Sequence, residues 1–161
     1  MWELPTLTIA LLLLPILQPT LQLSNPVVVN PPKTAPQTMT FNLDDAQWRD
    51  RVLLVFAPSE QFPAYQQHRQ QWASVTADRV ERQLKLVEVL ATGTSRVDGQ
   101  PMSVASANQL RTQFGIAPSD FAIVLIGKDG TEKQRETSPI APIEIFRTID
   151  AMPMRQQEMR S

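Results

Sequence analysis

The sequence predicts an α/β domain: a central mixed sheet of about four strands, in the order strand-helix-strand, helix, β-hairpin, helix, with helices on both faces. Three observations carry this. Residues 52–57 (Val-Leu-Leu-Val-Phe-Ala) and 121–126 (Phe-Ala-Ile-Val-Leu-Ile) are short, uninterrupted apolar runs, the pattern of strands covered on both faces. Between and after them, apolar residues recur at three- and four-residue steps, as on the buried stripe of a helix. Following the second run, Asp129-Gly130 separates it from a charged stretch, which is a hairpin signal.

Taken in order, residues 43–51 carry Asp44 and Asp45 early and Trp48 as an apolar anchor, which suits a short helical turn before the first strand. Pro58-Ser59 ends that strand. From Pro63 to about Gln83, the residues Phe62, Tyr65, Trp72, Val75 and Val80 line one side of a long helix. Pro63 lies near its first position, where a missing N–H is harmless. Gln66, Gln67, His68, Arg69, Asp78 and Arg82 form its solvated side. Residues 84–90 return as a second strand, and a connection of this length implies parallel pairing with a right-handed crossover.

Residues 92–101 read as a polar loop, after which Val104, Ala107, Leu110 and Phe114 mark a second helix. Gly115 suits its left-handed cap, and Ile116 the apolar contact just beyond. Residues 131–136 belong at the sheet edge, where Glu132, Lys133 and Arg135 discourage pairing with another chain. Pro142 opens a last helix with Ile143, Phe146 and Ile149 on one face, and Pro153 ends or kinks it.

Composition narrows the chemistry. The 161 residues, 42% hydrophobic and 19% charged, have ordinary globular composition and suit one domain. Net charge is −1, and the basic residues are scattered among acidic ones, so nucleic acid is not an expected partner. The absence of cysteine removes disulfides, thiolate nucleophiles and cysteine-ligated metal or iron–sulfur sites. His68 is the single histidine, which leaves neither a zinc ligand set nor a Ser-His-Asp assembly. Met152, Met154 and Met159 lie close together, with Met102 elsewhere; packing at a terminal helix explains them better than a thioether copper site. No metal or cofactor is expected.

Three segments follow. Residues 1–24 contain an apolar run at positions 7–17, broken by Thr8 and Pro15, which has the length of a signal-peptide core. A membrane span needs about 20 apolar residues. Glu3, with no Lys or Arg beside it, departs from the usual signal pattern, so an uncleaved anchor and a buried segment of a cytoplasmic protein stay open. Residues 25–41, with Pro26, Pro31, Pro32 and Pro36, read as an extended linker, and residues 42–161 as the folded domain. The expected location is periplasmic or extracellular, with a membrane met only through the N-terminal segment.

The predicted order of elements is that of the thioredoxin core. Trp48 and Arg51 followed by Leu-Leu-Val-Phe-Ala-Pro-Ser, then residues 121–130 (Phe-Ala-Ile-Val-Leu-Ile-Gly-Lys-Asp-Gly), then residues 149–155 (Ile-Asp-Ala-Met-Pro-Met-Arg), resemble a family. It is the uncharacterised bacterial family called domain of unknown function four-one-seven-four, and the likeness covers about Leu43 to Met159. That family is similar to a domain of animal extracellular-matrix proteins, sushi-repeat proteins among them, and is regarded as thioredoxin- or peroxiredoxin-like. The resemblance implies a fold and no reaction.

In thioredoxins the redox pair sits at the N-terminus of the helix after the first core strand, where the dipole lowers a thiol pKa. Here that place is taken by Gln61-Phe62-Pro63-Ala64. Gln61 can hydrogen-bond but cannot be a thiolate. The thioredoxin cis-proline position falls at about Ala122, with Pro118 four residues earlier. Arg51, Lys128, Asp129, Gly130, Asp150 and Arg155 complete the candidate residues, as an ion-paired motif fixing a chain reversal or as a recognition surface projecting into solvent. The expected function is a non-redox binding or structural module for an unknown protein or envelope component, with no catalytic residue. The alternative is an enzyme with a non-thiol site at the start of the first long helix.

Overall fold

A computed structural model of the chain describes residues 37–161. The apolar N-terminal segment and most of the proline-rich stretch lie outside the described residues. Among the described residues, no helix is long and apolar enough to cross a membrane.

The sheet has six strands: β1 (Arg51–Ala57), β2 (Leu84–Leu90), β3 (Arg96–Val97), β4 (Gln100–Pro101), β5 (Ala122–Ile126) and β6 (Glu132–Glu136), in the order β4-β3-β2-β1-β5-β6. β1 runs parallel to β2, with Leu53 opposite Leu86, and antiparallel to β5, with Leu54 opposite Val124. The two apolar runs therefore lie side by side, as their composition predicts, and charged β6 forms an edge. The two additional strands come from the stretch read as a polar loop. Each is two residues long, too short to show any alternation, and Asp98 and Gly99 turn between them with φ of 46° and 84°.

Every residue of β1 is buried, because its two faces meet different layers. Val52, Leu54 and Phe56 point into a core completed by Val87, Val124, Ala107 and Leu110. Leu53, Val55 and Ala57 point the other way, against Tyr65, Trp72, Ile145 and Ile149. This is the period-two alternation of a strand with helices on both sides, and each fully buried leucine or valine contributes about 2 kcal/mol.

The predicted long helix is two helices, α1 (Pro63–Trp72) and α2 (Thr76–Glu81). Trp72 marks the break: its indole N–H donates to Ile140 O at 3.2 Å and its ring meets Phe146 edge-on at 5.7 Å, so α1 ends where its last aromatic is pinned. The chain then restarts in a new register that leaves Val80 exposed. α3 (Val104–Phe114) is capped by Ser103, whose hydroxyl accepts from the Ser106 N–H at 3.2 Å, and closes on Gly115 at φ 66°. Val104, expected on its inner face, is exposed in the first turn. α4 (Pro142–Asp150) buries Ile145, Phe146 and Ile149, while Ile143 faces solvent. Pro153 does not merely end α4; it opens α5 (Pro153–Glu158) at a position where proline fits.

Two corrections concern the start of the domain. Met39 bridges to Met102, and Phe41 is buried with its N–H donating to Ser106 Oγ at 3.0 Å, so packing reaches back into the stretch assigned to the linker. Trp48 is not an anchor: it is 65% exposed and adopts φ 65°. The chain reverses there into β1, with the Trp48 N–H donating to Lys128 O at 2.6 Å, and Ala46 fills the core position instead.

Candidate functional site

At the C-terminal end of β1 the chain passes through Pro58 and Ser59 to the start of α1, where Gln61 is exposed and Phe62 occupies the cap position without a side-chain cap. The Phe62 ring stacks on Phe121, with centroids 6.2 Å apart. Together with Ala64, Ile116 and Ala122 the two rings line an open groove of about 510 Å³ that has Asp120 and Arg135 among its polar members. Arg135 is held by Glu132 at 2.8 Å. Ala122 is the first residue of β5, and no peptide bond among the described residues is cis. Residues Gln61, Phe62, Pro63 and Ala64 thus present one apolar aromatic contact and a neutral amide, not a nucleophile.

At the opposite end of β1 a second group converges. Arg51 is 1% exposed, with both terminal nitrogens 3.3 Å from Glu158 carboxylate oxygens and Nη1 donating to Arg82 O at 2.8 Å. Lys128 donates to the same carboxylate at 2.6 Å and to the Gln83 side-chain oxygen. Arg155 donates to Asp150 at 3.3 Å and to Glu81 at 2.6 Å, and Arg82 donates to Asp150 at 2.8 Å. Arg51, Lys128, Asp150 and Arg155 therefore belong to one network, and they contact one another instead of projecting into solvent. Asp129 and Gly130 stand apart from it. Asp129 pairs with Lys133 at 2.6 Å and accepts from the Thr131 N–H at 3.1 Å, and Gly130 supplies the φ of 80° that the hairpin turn requires.

The electrostatics follow from this packing. Burial alone would raise the Glu158 carboxyl, yet hydrogen bonds from Lys128 and Arg51 hold it below the usual carboxylate range. The same opposition, won by Arg82 and Arg155, lowers Asp150. Sequence reasoning missed Glu158, Glu81 and Arg82, the last having been assigned to a solvated helix side. The i,i+3 spacing of Arg155 and Glu158 and the i,i+4 spacing of Asp78 and Arg82 were the local signals available.

His68 is a further correction. It is fully buried, stacked on Trp72 with centroids 5.2 Å apart, and neither ring nitrogen has a hydrogen-bond partner among the described residues. Burial pushes its pKa down to about 4. Tyr65, His68 and Trp72 form the inward stripe of α1, a pattern hidden by the flanking glutamines and arginine. Tyr65 donates to the buried Glu88 at 2.7 Å, and burial with that neighbouring charge raises the phenol. Arg111, also unforeseen, reaches the ends of two strands by donating to Ala57 O and Val89 O. Of the methionines, Met102 is buried and Met152 packs on the core, whereas Met154 and Met159 are exposed.

Comparison with solved structures shows the same fold. The reduced 2-Cys peroxiredoxin of Plasmodium vivax superposes with a TM-score of 0.55 at 16% identity, over 74% of this chain and 85% of that one. Plasmodium yoelii thioredoxin peroxidase I gives 0.53 at 19% identity, over 71% and 79%. At such identity the likeness concerns architecture alone.

Among curated proteins, Sushi-repeat-containing protein SRPX of Mus musculus is 32% identical over 126 residues, which is 76% of this chain and 27% of that protein. Sushi repeat-containing protein SRPX of Homo sapiens is 37% identical over 76 residues, 47% of this chain and 16% of its own length. Coiled-coil domain-containing protein 80 of Danio rerio is 27% identical over 140 residues, 77% of this chain and 16% of that protein. The chain thus spans less than a third of the length of these relatives, which are vertebrate proteins and lend no support to the bacterial source implied by the resemblance. The family profile described as domain of unknown function matches residues 42–158, most of the chain. On that match, and with the sheet order and helix placement described above, the chain belongs to the family Domain of unknown function (DUF4174) and has a thioredoxin-like fold.

Proposed function

We propose that the chain is a non-catalytic, thioredoxin-like binding or structural module that acts outside the cytoplasm on a protein or envelope partner. One observation carries the reading: where thioredoxins hold their redox pair, this chain has Gln61-Phe62-Pro63-Ala64, with Phe62 stacked on Phe121 in an apolar groove. Thiol–disulfide exchange and cysteine-based peroxide reduction need a sulfur nucleophile, and the chain contains no cysteine. The groups with strongly shifted pKa values on α1, Tyr65 and His68, are buried under the helix and do not line the groove, which favours packing over acid–base chemistry there. The apolar run at residues 7–17 and the kinship with sushi-repeat proteins support the location.

Two measurements test this. The purified full chain, offered peroxide with dithiothreitol or insulin disulfides, is expected to give buffer rates; turnover above buffer would overturn the non-catalytic reading. Phe62→Ser, a change at a half-buried position that gives up the stacking on Phe121 and so lowers the melting temperature somewhat, is expected to lower retention of the still-folded protein in the envelope or matrix fraction several-fold. Equal retention would remove the groove from the reading, and an intact N-terminus recovered from cytosol would remove the location.

A further inference from the structure

In a chain without cysteine, the sulfur that an oxidant can reach is thioether sulfur, and the fold decides which methionines it meets. Met39, Met154 and Met159 are exposed, whereas Met102 is only 3% exposed. Met152 stands between these extremes. It is partly buried, packed against the core layer that holds Ile145, Phe146 and Ile149, yet with Pro153 and Met154 it lines a pocket of about 410 Å³ at the α4–α5 corner. Hydrogen peroxide is little larger than water, and a space of this size admits it readily.

Met152 is also the joint between two helices. Its N–H donates to Ile149 O at 2.9 Å as α4 closes, and its carbonyl accepts from the Gln156 N–H at 3.0 Å as α5 opens. α5 has six residues, too few to persist as a helix without tertiary anchors. One anchor is the Met152 side chain at its start. The other is the set of ion pairs that Arg155 and Glu158 make with Asp150, Glu81, Arg51 and Lys128.

We propose that Met152 is a modification site for peroxide, and that its oxidation to the sulfoxide releases α5 from the start of β1. A sulfur lone pair attacks one peroxide oxygen, the S–O bond forms and the O–O bond breaks; the sulfur gives up two electrons, and the departing hydroxide takes the remaining proton and leaves as water. The new oxygen is a strong acceptor on a side chain that packs against hydrocarbon, so it can be hydrated only if Met152 leaves that surface. Sulfoxides at Met154 and Met159 stay in water and leave the packing intact. The step is stoichiometric and is reversed by sulfoxide reductases. It neither needs nor touches the groove at Phe62, so either reading can fail without the other.

The test follows the full chain through treatment with about 10 mM hydrogen peroxide by peptide mass mapping, amide exchange and thermal melting. Met154 and Met159 are expected to oxidise first, and Met152 at least about fivefold faster than Met102. As Met152 oxidises, the amides of Gln156, Met159 and Arg160 should exchange about tenfold faster or more, and the melting temperature should fall by about 3 °C or more. Met152→Leu keeps the apolar packing without the oxidisable sulfur and should hold both properties through the same treatment. Met154→Leu combined with Met159→Leu should lose them as the unaltered chain does. Oxidation of Met152 no faster than that of Met102, an unchanged α5 once Met152 is oxidised, or equal loss in Met152→Leu would overturn the proposal.

Discussion

A buried imidazole with no hydrogen-bond partner among the described residues makes His68 a group whose protonation the fold resists. Its folded pKa of about 4 lies below the ordinary 6.5, so the unfolded chain takes up a proton that the folded chain refuses. The associated stability is complete above about pH 6.5 and is lost as the pH falls toward the folded value, about 2 kcal/mol being gone by pH 5. Because His68 is the only histidine, the upper part of that window, from pH 6.5 to 5, reports on this residue above the carboxylate range. Urea melts at pH 7 and pH 5 should show the loss, and His68→Phe should abolish it; an unchanged pH slope in the variant would assign the effect elsewhere. Trp48 poses the opposite case, a bulky side chain in left-handed backbone and exposed to solvent. Its conformation is imposed by the reversal into β1 and by the bond from its N–H to Lys128 O.

Elements are held by contacts of unequal worth, and α5 shows it. Its anchoring to the start of β1 runs through Glu158, a carboxylate 27% exposed that serves a buried arginine and a buried lysine at once. Glu158→Ala would leave both cations without it and is expected to destabilise by about 2 to 3 kcal/mol, somewhat less than for a fully buried pair. Glu144→Ala, which removes a solvent-exposed i,i+3 pair with Arg147, should cost under about 0.5 kcal/mol. Chemical denaturation of the two variants provides the comparison, and equal losses would contradict the assigned role of the network. The depressed carboxyls of Glu158 and Asp150 add a separate acid limb: their stabilisation is present above the ordinary carboxylate range and is lost as the pH falls through the lowered values.

At the scale of the molecule, the open sheet has two edges and protects them differently. β4 is only two residues long, while β6 carries Glu132, Lys133 and Arg135 along its exposed length. Replacing Glu132 and Arg135 together by valine removes an ion pair of little energetic value but leaves a less charged, more β-prone edge on which Lys133 and Glu136 remain. That double variant is expected to associate with rising concentration in sedimentation or light scattering at a nearly unchanged melting temperature. A monomer at every concentration would show that the charges are not what keeps the edge free. The same open sheet places the groove and the ion-paired network around Glu158 at opposite ends of β1.

Much of this architecture was legible in the residues themselves. The apolar runs of β1 and β5, the Asp129-Gly130 hairpin and the left-handed cap at Gly115 express burial on both faces or a backbone conformation that few residues adopt, and such demands are written locally. Gln61 to Ala64 could likewise be placed by counting from the end of β1. The network around Glu158 could not be read, because Arg51 and Glu158 are 107 positions apart and nothing periodic links them. Nor could the inward turn of His68, the break after Trp72 or the exposure of Trp48, since each depends on which neighbour arrives from elsewhere in the chain. The sequence by itself determined which segments must be covered and where the backbone must turn; the tertiary structure alone decided which charges meet, because proximity across a fold is set by the packing of whole elements and leaves no spacing behind.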